Sequence, residues 1–255
     1  MIDCSDSFLL IDIGNSRTKW GVAKKNGRID PGEPFATQCF MNNPETLVNC
    51  WRNVLPPTQV VVANVAGSEI AACLVSWTQR CWNLAPRFVS SEAEGFGVHN
   101  AYFDPGKLGV DRWVALIGAH HACPGPVCVA DFGTAITVDA LNSEGVHLGG
   151  VIAPGLMLMH RSLVSGTHDL PLAGEAFHES LARETAAAIA SGTRQAAAGL
   201  VERCYRESAS KLGSLPRLLL TGGDAPTIAP LLGMPFESRR DLVLEGLLII
   251  AKTGR

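Results

Sequence analysis

The chain has 255 residues, 47% of them hydrophobic and 18% charged, with a formal net charge of −3. That length allows two compact domains or one large one, and that balance excludes a disordered chain. Scattered Lys and Arg with a net negative charge exclude the basic footprint of a nucleic-acid binder.

From the N-terminus, MIDCSDSFLLIDIG has no basic region, and its apolar run is too short for a signal peptide. The late apolar stretch LVLEGLLIIA is broken by Glu245 and too short to span a bilayer. The expectation is a cytoplasmic protein with no membrane partner. The 8 cysteines, Cys4, Cys39, Cys50, Cys73, Cys81, Cys123, Cys128 and Cys204, form no CxxC pair. They read as reduced, mostly buried thiols.

Strand-like runs fall at Phe8–Ile13, Thr18–Ala23, Gln59–Asn64, Arg87–Ser90, Val127–Asp131, Ala135–Leu141 and Arg217–Thr221. Helix-like runs fall at Pro44–Val54, Ser68–Arg80, Val110–Ala122, Glu179–Leu212 and Leu242–Thr253, the Ala-rich one expected to break near Ser191-Gly192. KNG, after Lys24 in the pair Lys24-Lys25, and NSEG close two hairpins. Alternation of this kind predicts α/β domains with mixed sheets and a boundary near residue 118, dividing the chain into 1–118 and 119–255.

The pattern occurs twice. Residues 8–27 read FLLIDIGNSRTKWGVAKKNG and residues 126–145 read PVCVADFGTAITVDALNSEG. Asp12 and Gly14 of the first copy correspond to Asp131 and Gly133 of the second. A glycine lets the backbone bend sharply and approach a ligand closely, and an Asp beside it brings a fixed negative charge. Asp12, at a strand end, suits hydrated Mg²⁺, which keeps its waters and takes few protein carboxylates. Gly14, Asn15 and Ser16 offer N–H and side-chain donors to phosphate oxygens, and Lys19 adds positive charge. Either copy alone also fits a plain hairpin; recurrence in register favours a phosphate site. No Walker A loop occurs. Two such turns fit an ATP-driven phosphotransferase built from two related domains, with a cleft between them.

Three further stretches belong to the same reading. In YFDPGKLGVDRWVALIGA, Gly109 precedes a predicted helix, so Asp111 and Arg112 open it. A carboxylate there is stabilised by the helix N-terminus and suits a late proton acceptor for a hydroxyl nucleophile; helix capping with a surface ion pair is the bland alternative. In LLLTGGDAPTIAPLL, Gly222-Gly223 allows close approach of a bulky group such as adenosine, or marks a tight strand-to-helix turn. In HLGGVIAPGLMLMHRSL, the glycines suggest close packing or a site wall. Met157 and Met159 read as core or subunit contact, and His160 as a satisfied histidine. Asp139 reads as structural or solvent-facing. His99, His120, His121, His147, His168 and His178 show no metal-ligand spacing.

Taken in order, DxGNS…K, YxxPxxLGxDRW, DFGTAxTxD, GGxIxPG, TxxAIxxG and TGGDA resemble the type III pantothenate kinases, a branch of the actin-like ATPase superfamily that also holds acetate and sugar kinases. The resemblance implies duplicated ribonuclease-H-like domains, a homodimer, and phosphorylation of pantothenate by ATP as the first committed step towards coenzyme A. It implies an ATP phosphate loop over Asp12, Ile13, Gly14, Asn15, Ser16, Arg17, Thr18 and Lys19, with Thr134 a further ATP contact. It implies pantothenate contacts at Tyr102, Gly109, Val110, Asp111, Arg112 and Thr185, with Asp111 as proton acceptor. Asp131 matches the ligand of a monovalent cation, K⁺ or NH₄⁺, alongside Mg²⁺. Ser16 stands where the family often has Thr, and Glu184 precedes Thr185 where Asn is common. Residues 29–58 carry no diagnostic motif. A sugar or small-acid kinase of the same superfamily would need other residues around LGVDR. A nucleotide-binding regulator would tolerate loss of the acidic set, and Asp12, Asp111 and Asp131 are all retained.

Overall fold

The structure is a computed structural model that describes residues 7–24, 26–42, 50–51, 53–167, 170–171 and 181–253. Cys4, Lys25, His168, His178, Glu179 and most of the expected helix from Pro44 lie outside those residues. The chain forms two compact units, one of Met1–Ala122 with Asp241–Arg255, the other of Cys123–Arg240. The C-terminal helix therefore groups with the first unit, and the second unit begins four residues after the expected boundary, at 123 rather than 119.

In the first unit the strands β1 (Ser7–Ile13), β2 (Arg17–Lys24), β3 (Ile29–Pro31), β4 (Phe35–Ala36), β5 (Gln59–Asn64) and β6 (Arg87–Phe88) form one sheet. Its order is β3-β2-β1-β5-β6, with β4 also on β2. The β1–β2 hairpin is antiparallel, while β5 and β6 run parallel to β1. Alternation along β1 decides its two faces. Leu9, Ile11 and Ile13 join Val60, Val62, Ile70, Leu74 and a set of tryptophans in one core cluster. Trp51 sits at its centre, with ring centroids 4.9 Å from Trp77 and 6.1 Å from Trp20. Helices α1 (Cys39–Asn42) and α2 (Ser68–Trp82) supply Phe40, Ile70, Leu74 and Trp77 to this face.

Helix α3 (Val110–Ala122) buries Trp113, Val114, Leu116 and Ile117, having passed through a small sheet of β7 (Glu94–Gly95) and β8 (Val98–His99). The two-stranded piece lacks the apolar alternation that would reveal it in sequence. The unit closes with a final helix, α7 (Leu242–Lys252), apolar on most sides. It crosses α3 closely because Gly246 has no side chain: a Cβ there would collide with the Val114 carbonyl. That contact is why the last helix belongs with the first unit.

The second unit repeats the plan. Its sheet order is β11-β10-β9-β12-β13, from β9 (Val127–Phe132), β10 (Ala135–Leu141), β11 (His147–Pro154), β12 (Arg217–Thr221) and β13 (Glu237–Ser238). Again the first two strands form an antiparallel hairpin and the later two run parallel to the first. Cys128, Ala130 and Phe132 pack with Val138, Leu220 and Val201 of the long helix α5 (Thr185–Leu212). Helices α4 (Leu156–Gly166) and α6 (Ala225–Ile228) complete the unit. The break expected at Ser191-Gly192 does not occur: α5 is continuous, and Thr193 Oγ1 bonds the Ile189 and Ala190 carbonyls inside it. Each unit is an α/β body on a mixed sheet of equivalent strand order, the duplicated ribonuclease-H-like arrangement expected.

Candidate active site

In each unit the acidic turn follows the first strand, at the carboxyl ends of the parallel strands. Open α/β sheets bind ligands outside those ends. Asp12 pairs with Lys19 across the β1–β2 ladder and with Ala63 of β5. Cross-strand partners share a face, so the two side chains leave the sheet on the same side. Asp131 pairs with Thr137 and with Thr221 of β12. The two turns differ by one residue. Gly14 N–H bonds the Arg17 carbonyl at 3.1 Å, whereas Gly133 N–H bonds the Ala135 carbonyl at 3.0 Å. The first turn is the roomier, and Asn15, Ser16 and Arg17 are exposed on it.

Not every residue of the first turn offers its side chain outward. Ile13 and Thr18 are fully buried, so their side chains support the turn and are not open to a ligand. Gly14, Asn15, Ser16, Arg17 and Lys19 are at least partly accessible. Thr37, in a segment without any motif, bonds the Gly14 carbonyl through its hydroxyl at 2.7 Å.

The second group of the first unit is knit around the start of α3. Arg112 is 5% exposed; its Nη1 donates to the Tyr102 hydroxyl at 2.8 Å, and its guanidinium carbon lies 5.6 Å from that ring's centroid. Asp111 Oδ1 accepts from the Arg112 backbone N–H at 2.8 Å. A carboxylate has about four lone-pair sites, so this is one of several bonds such a group can accept. Gly109 makes room for it, since a Cβ at 109 would lie 2.6 Å from Asp111 Oδ1. Val110 is the first residue of the helix. Ser91 Oγ holds the Leu108 carbonyl at 2.8 Å. Asn100 accepts from Tyr102 N–H at 3.0 Å and donates to the Glu92 and Pro105 carbonyls. Ser91 follows β6, so this group too stands beyond the carboxyl ends of parallel strands.

In the second unit Asp131, Gly133 and Thr134 meet the start of the TGGDA segment. Gly222 has φ +94°, and a Cβ there would strike the Phe132 carbonyl and the Asp131 carboxylate. Only glycine combines that backbone with that space. Asp224 N–H donates to the Phe132 carbonyl at 3.0 Å, and Gly155 N–H to the Thr134 carbonyl at 2.9 Å. The Asp131 carboxylate is an oxygen donor, the ligand type suited to a hard cation. Thr185 is exposed at the first position of α5, after an extended Glu184. His160 lies 2.9 Å from Thr193 Oγ1, the satisfied histidine expected. Burial, then the charge of Arg194, holds it below the ordinary imidazole value, with Asp224 acting against them.

Asp139, read as structural or solvent-facing, is structural: it is 4% exposed and bonds His147 Nε2 at 2.9 Å. A cavity of about 230 Å³ lies beside it, lined by Gly149, Gly150, Cys204, Glu207, Ser208 and Lys211 among others, and contains none of the residues expected to bind ATP, pantothenate or a cation. Among the described residues no group of three or more His, Cys, Asp and Glu is placed to hold a metal ion. No helix among them is long and apolar enough to cross a membrane.

Comparison with known proteins bears on both units. A protein of Campylobacter jejuni named a Baf family transcriptional activator has the same fold, at a TM-score of 0.58 and 19% identity over 96% of this chain and 98% of that one. So does the activator of 2-hydroxyisocaproyl-CoA dehydratase from Clostridium difficile, solved with ADPNP, at 0.53 and 12% over 97% and 95%. At those identities the likeness is one of fold, that of the actin-like ATPases and sugar kinases. In sequence, the chain is 39% identical to the type III pantothenate kinase of Nitrosococcus oceani, covering 96% of this chain and 94% of that protein. The profile of the same family matches residues 8–207, which include both acidic turns and the LGVDRW segment, and the chain therefore belongs to the type III pantothenate kinase family.

Proposed function

We propose that this kinase transfers the γ-phosphoryl group of ATP to the hydroxyl of pantothenate, giving 4'-phosphopantothenate for coenzyme A synthesis, with Asp111 accepting the hydroxyl proton. The bond from the γ-phosphorus to ADP breaks, the bond to the pantothenate oxygen forms, and the proton passes to the Asp111 carboxylate. The observation that carries the reading is the knot at the start of α3. There Gly109 leaves space for the Asp111 carboxylate, and the buried Arg112 is locked onto Tyr102. An ordinary carboxylate, with a pKa near 3.9, is a weak base. It suffices in a loose transition state, where the proton leaves late and positioning dominates.

Residues 12–19 take the phosphates of ATP through backbone N–H groups and Lys19, and Thr134 is a further nucleotide contact. Arg112 and Tyr102 orient pantothenate, with Gly109, Val110 and Thr185 as further contacts. When bound, Mg²⁺ held through water by Asp12 and K⁺ or NH₄⁺ at Asp131 offset phosphate charge. The hard oxygen donor of the Asp131 carboxylate supports the second of these assignments. A homodimer is part of the same proposal. Val151 and Ile152 of β11 and Met157, Leu158 and Val164 of α4 are exposed apolar side chains on adjoining elements, and surfaces of that kind mark partner contacts. Sedimentation of the purified protein as a monomer at micromolar concentration would remove the dimer from it.

The deciding assay mixes purified protein with pantothenate, ATP and Mg²⁺ in either K⁺ or Na⁺, and follows phosphopantothenate. K⁺-dependent product is expected, with a large loss in Asp111→Asn. Full activity in that variant removes the proposed base. Product from a sugar but none from pantothenate overturns the substrate assignment.

A further inference from the structure

Thr37 lies between β4 and α1, in a stretch that carries no family motif, yet it is 3% exposed and makes contact with both ends of the first acidic turn. Its hydroxyl donates to the Gly14 carbonyl at 2.7 Å, and its backbone N–H donates to the Ser16 carbonyl at 3.1 Å. The hydroxyl of the fully buried Thr18 lies 3.1 Å from the Thr37 hydroxyl. A hydroxyl has one hydrogen, and that of Thr37 is committed to Gly14, so Thr18 is the donor between the two. The Thr37 carbonyl in turn accepts the N–H of Phe40, a core residue of α1. The turn is thereby tied to the tryptophan-rich core rather than left as a free hairpin end.

The consequence for the turn follows from peptide geometry. In a trans peptide the C=O and the next N–H point to opposite sides. With the Gly14 carbonyl drawn onto Thr37, the Asn15 N–H faces the other way. With the Ser16 carbonyl drawn onto the same residue, so does the Arg17 N–H. Two donors are thus turned away from Thr37 on an exposed turn whose Gly14 and Ser16 carbonyls are engaged, an arrangement in which a backbone nest binds an anion.

We propose that Thr37 is a positioning residue of the nucleotide site, fixing the peptide planes of residues 14–17 so that their N–H groups meet the phosphates of ATP. The proposal rests on residues 12–19 being the phosphate loop. Thr37 touches no substrate; it acts through Gly14 and Ser16.

The test compares Thr37→Val, which keeps the shape and loses the hydroxyl, with Thr37→Ser, which keeps the hydroxyl. Each is titrated calorimetrically with ADPNP, assayed for KM of ATP and of pantothenate separately, and checked by thermal unfolding. Loss of a buried bond of this kind predicts ADPNP affinity weakened, and KM for ATP raised, by about tenfold in T37V. KM for pantothenate should stay within about twofold, and T37S should restore both values. Wild-type ADPNP affinity in T37V, or an equal rise in both KM values, overturns the proposal. So does a T37S variant that unfolds like wild type but binds ADPNP as weakly as T37V. If T37V cannot be purified, Thr18→Val, which removes the donor onto Thr37, is titrated instead. A weakening of about threefold or more is expected, and unchanged affinity overturns the idea. A wild-type protein that binds no ADPNP defeats the kinase reading itself, an outcome separate from any of these.

Discussion

Arg112 and Tyr102 form one unit, the guanidinium donating to the phenol oxygen at 2.8 Å while standing 5.6 Å from the ring centroid. The arginine is almost wholly buried, and the phenol oxygen accepts from one of its five N–H donors and helps fix the plane of its fork. Lysine supplies a point charge with no planar fork to stack or donate in parallel. Removing the acceptor of a charge-assisted bond costs about 1.5–3 kcal/mol, or roughly tenfold or more in an affinity. Tyr102→Phe and Arg112→Lys should therefore raise KM for pantothenate by about tenfold while leaving KM for ATP nearly unchanged. Steady-state kinetics with each substrate varied in turn checks this. An equal effect on both substrates would argue that the pair merely supports the fold.

Gly109 and Asp111 make a second pair with a sharper signature. A methyl group at 109 would sit 2.6 Å from Asp111 Oδ1, so Gly109→Ala must push the carboxylate aside without removing it. Asp111→Asn leaves the shape and removes the base. General-base loss typically lowers kcat by about 10²–10⁴. G109A should lower kcat by at least about tenfold, since positioning is lost but the carboxylate remains. If the Asp111 carboxylate is the proton acceptor, the double variant should be no slower than Asp111→Asn alone. Additive losses would show that Gly109 acts through something else.

How much of this was legible in the sequence can be judged from the same residues. The repeated Asp-x-Gly after an apolar strand located both turns, and β5, β10, β12 and α3 fall within the expected limits because apolar periodicity and flanking breakers agree there. The strands β3, β4, β7, β8 and β13 were not visible, being two or three residues long and held by pairing rather than by pattern. Strand β11 was not visible either, its glycines reading as close packing or a site wall, since Gly149-Gly150 hides its alternation. The Asp139–His147 bond spans a β-bulge, and its register is fixed only by the folded ladder. Thr37 could not have been found at all. Nothing in FATQCF announces a hydroxyl that reaches back 23 residues to Gly14.

Gly222 tests the second unit. Its φ of +94° and the lack of room beside Phe132 oppose any side chain, so Gly222→Ala should destabilise the protein by about 1–3 kcal/mol. The displaced group is Asp131, the proposed cation ligand. The variant should therefore need more K⁺ for half-maximal activity, and Asp131→Asn should lose most of the difference between K⁺ and Na⁺. Titration of activity with KCl at constant ionic strength checks both. An unchanged K⁺ response in Asp131→Asn would move the cation elsewhere.

Cys128 gives the stability a defined alkaline slope. Burial, reinforced by nearby Cys204 and Asp139 and partly opposed by a bond to Ser208, pushes its thiol up to about 12 from 9.0. The folded state thus holds a proton that the unfolded chain releases earlier. Stability from this group is intact below the unfolded value and falls as pH climbs from about 9 towards 12, by about 1.4 kcal/mol per pH unit at most. Burial also raises Cys204, which adds to the slope. Denaturant unfolding at pH 8 and at pH 10.5 should show the drop, and Cys128→Ala should flatten it at a constant offset from cavity formation. The same burial leaves Cys128 a slow target for alkylation in the native state, whereas the exposed Cys81 should react first. Rapid native labelling of Cys128 would mean that β9 opens far more readily than its packing allows.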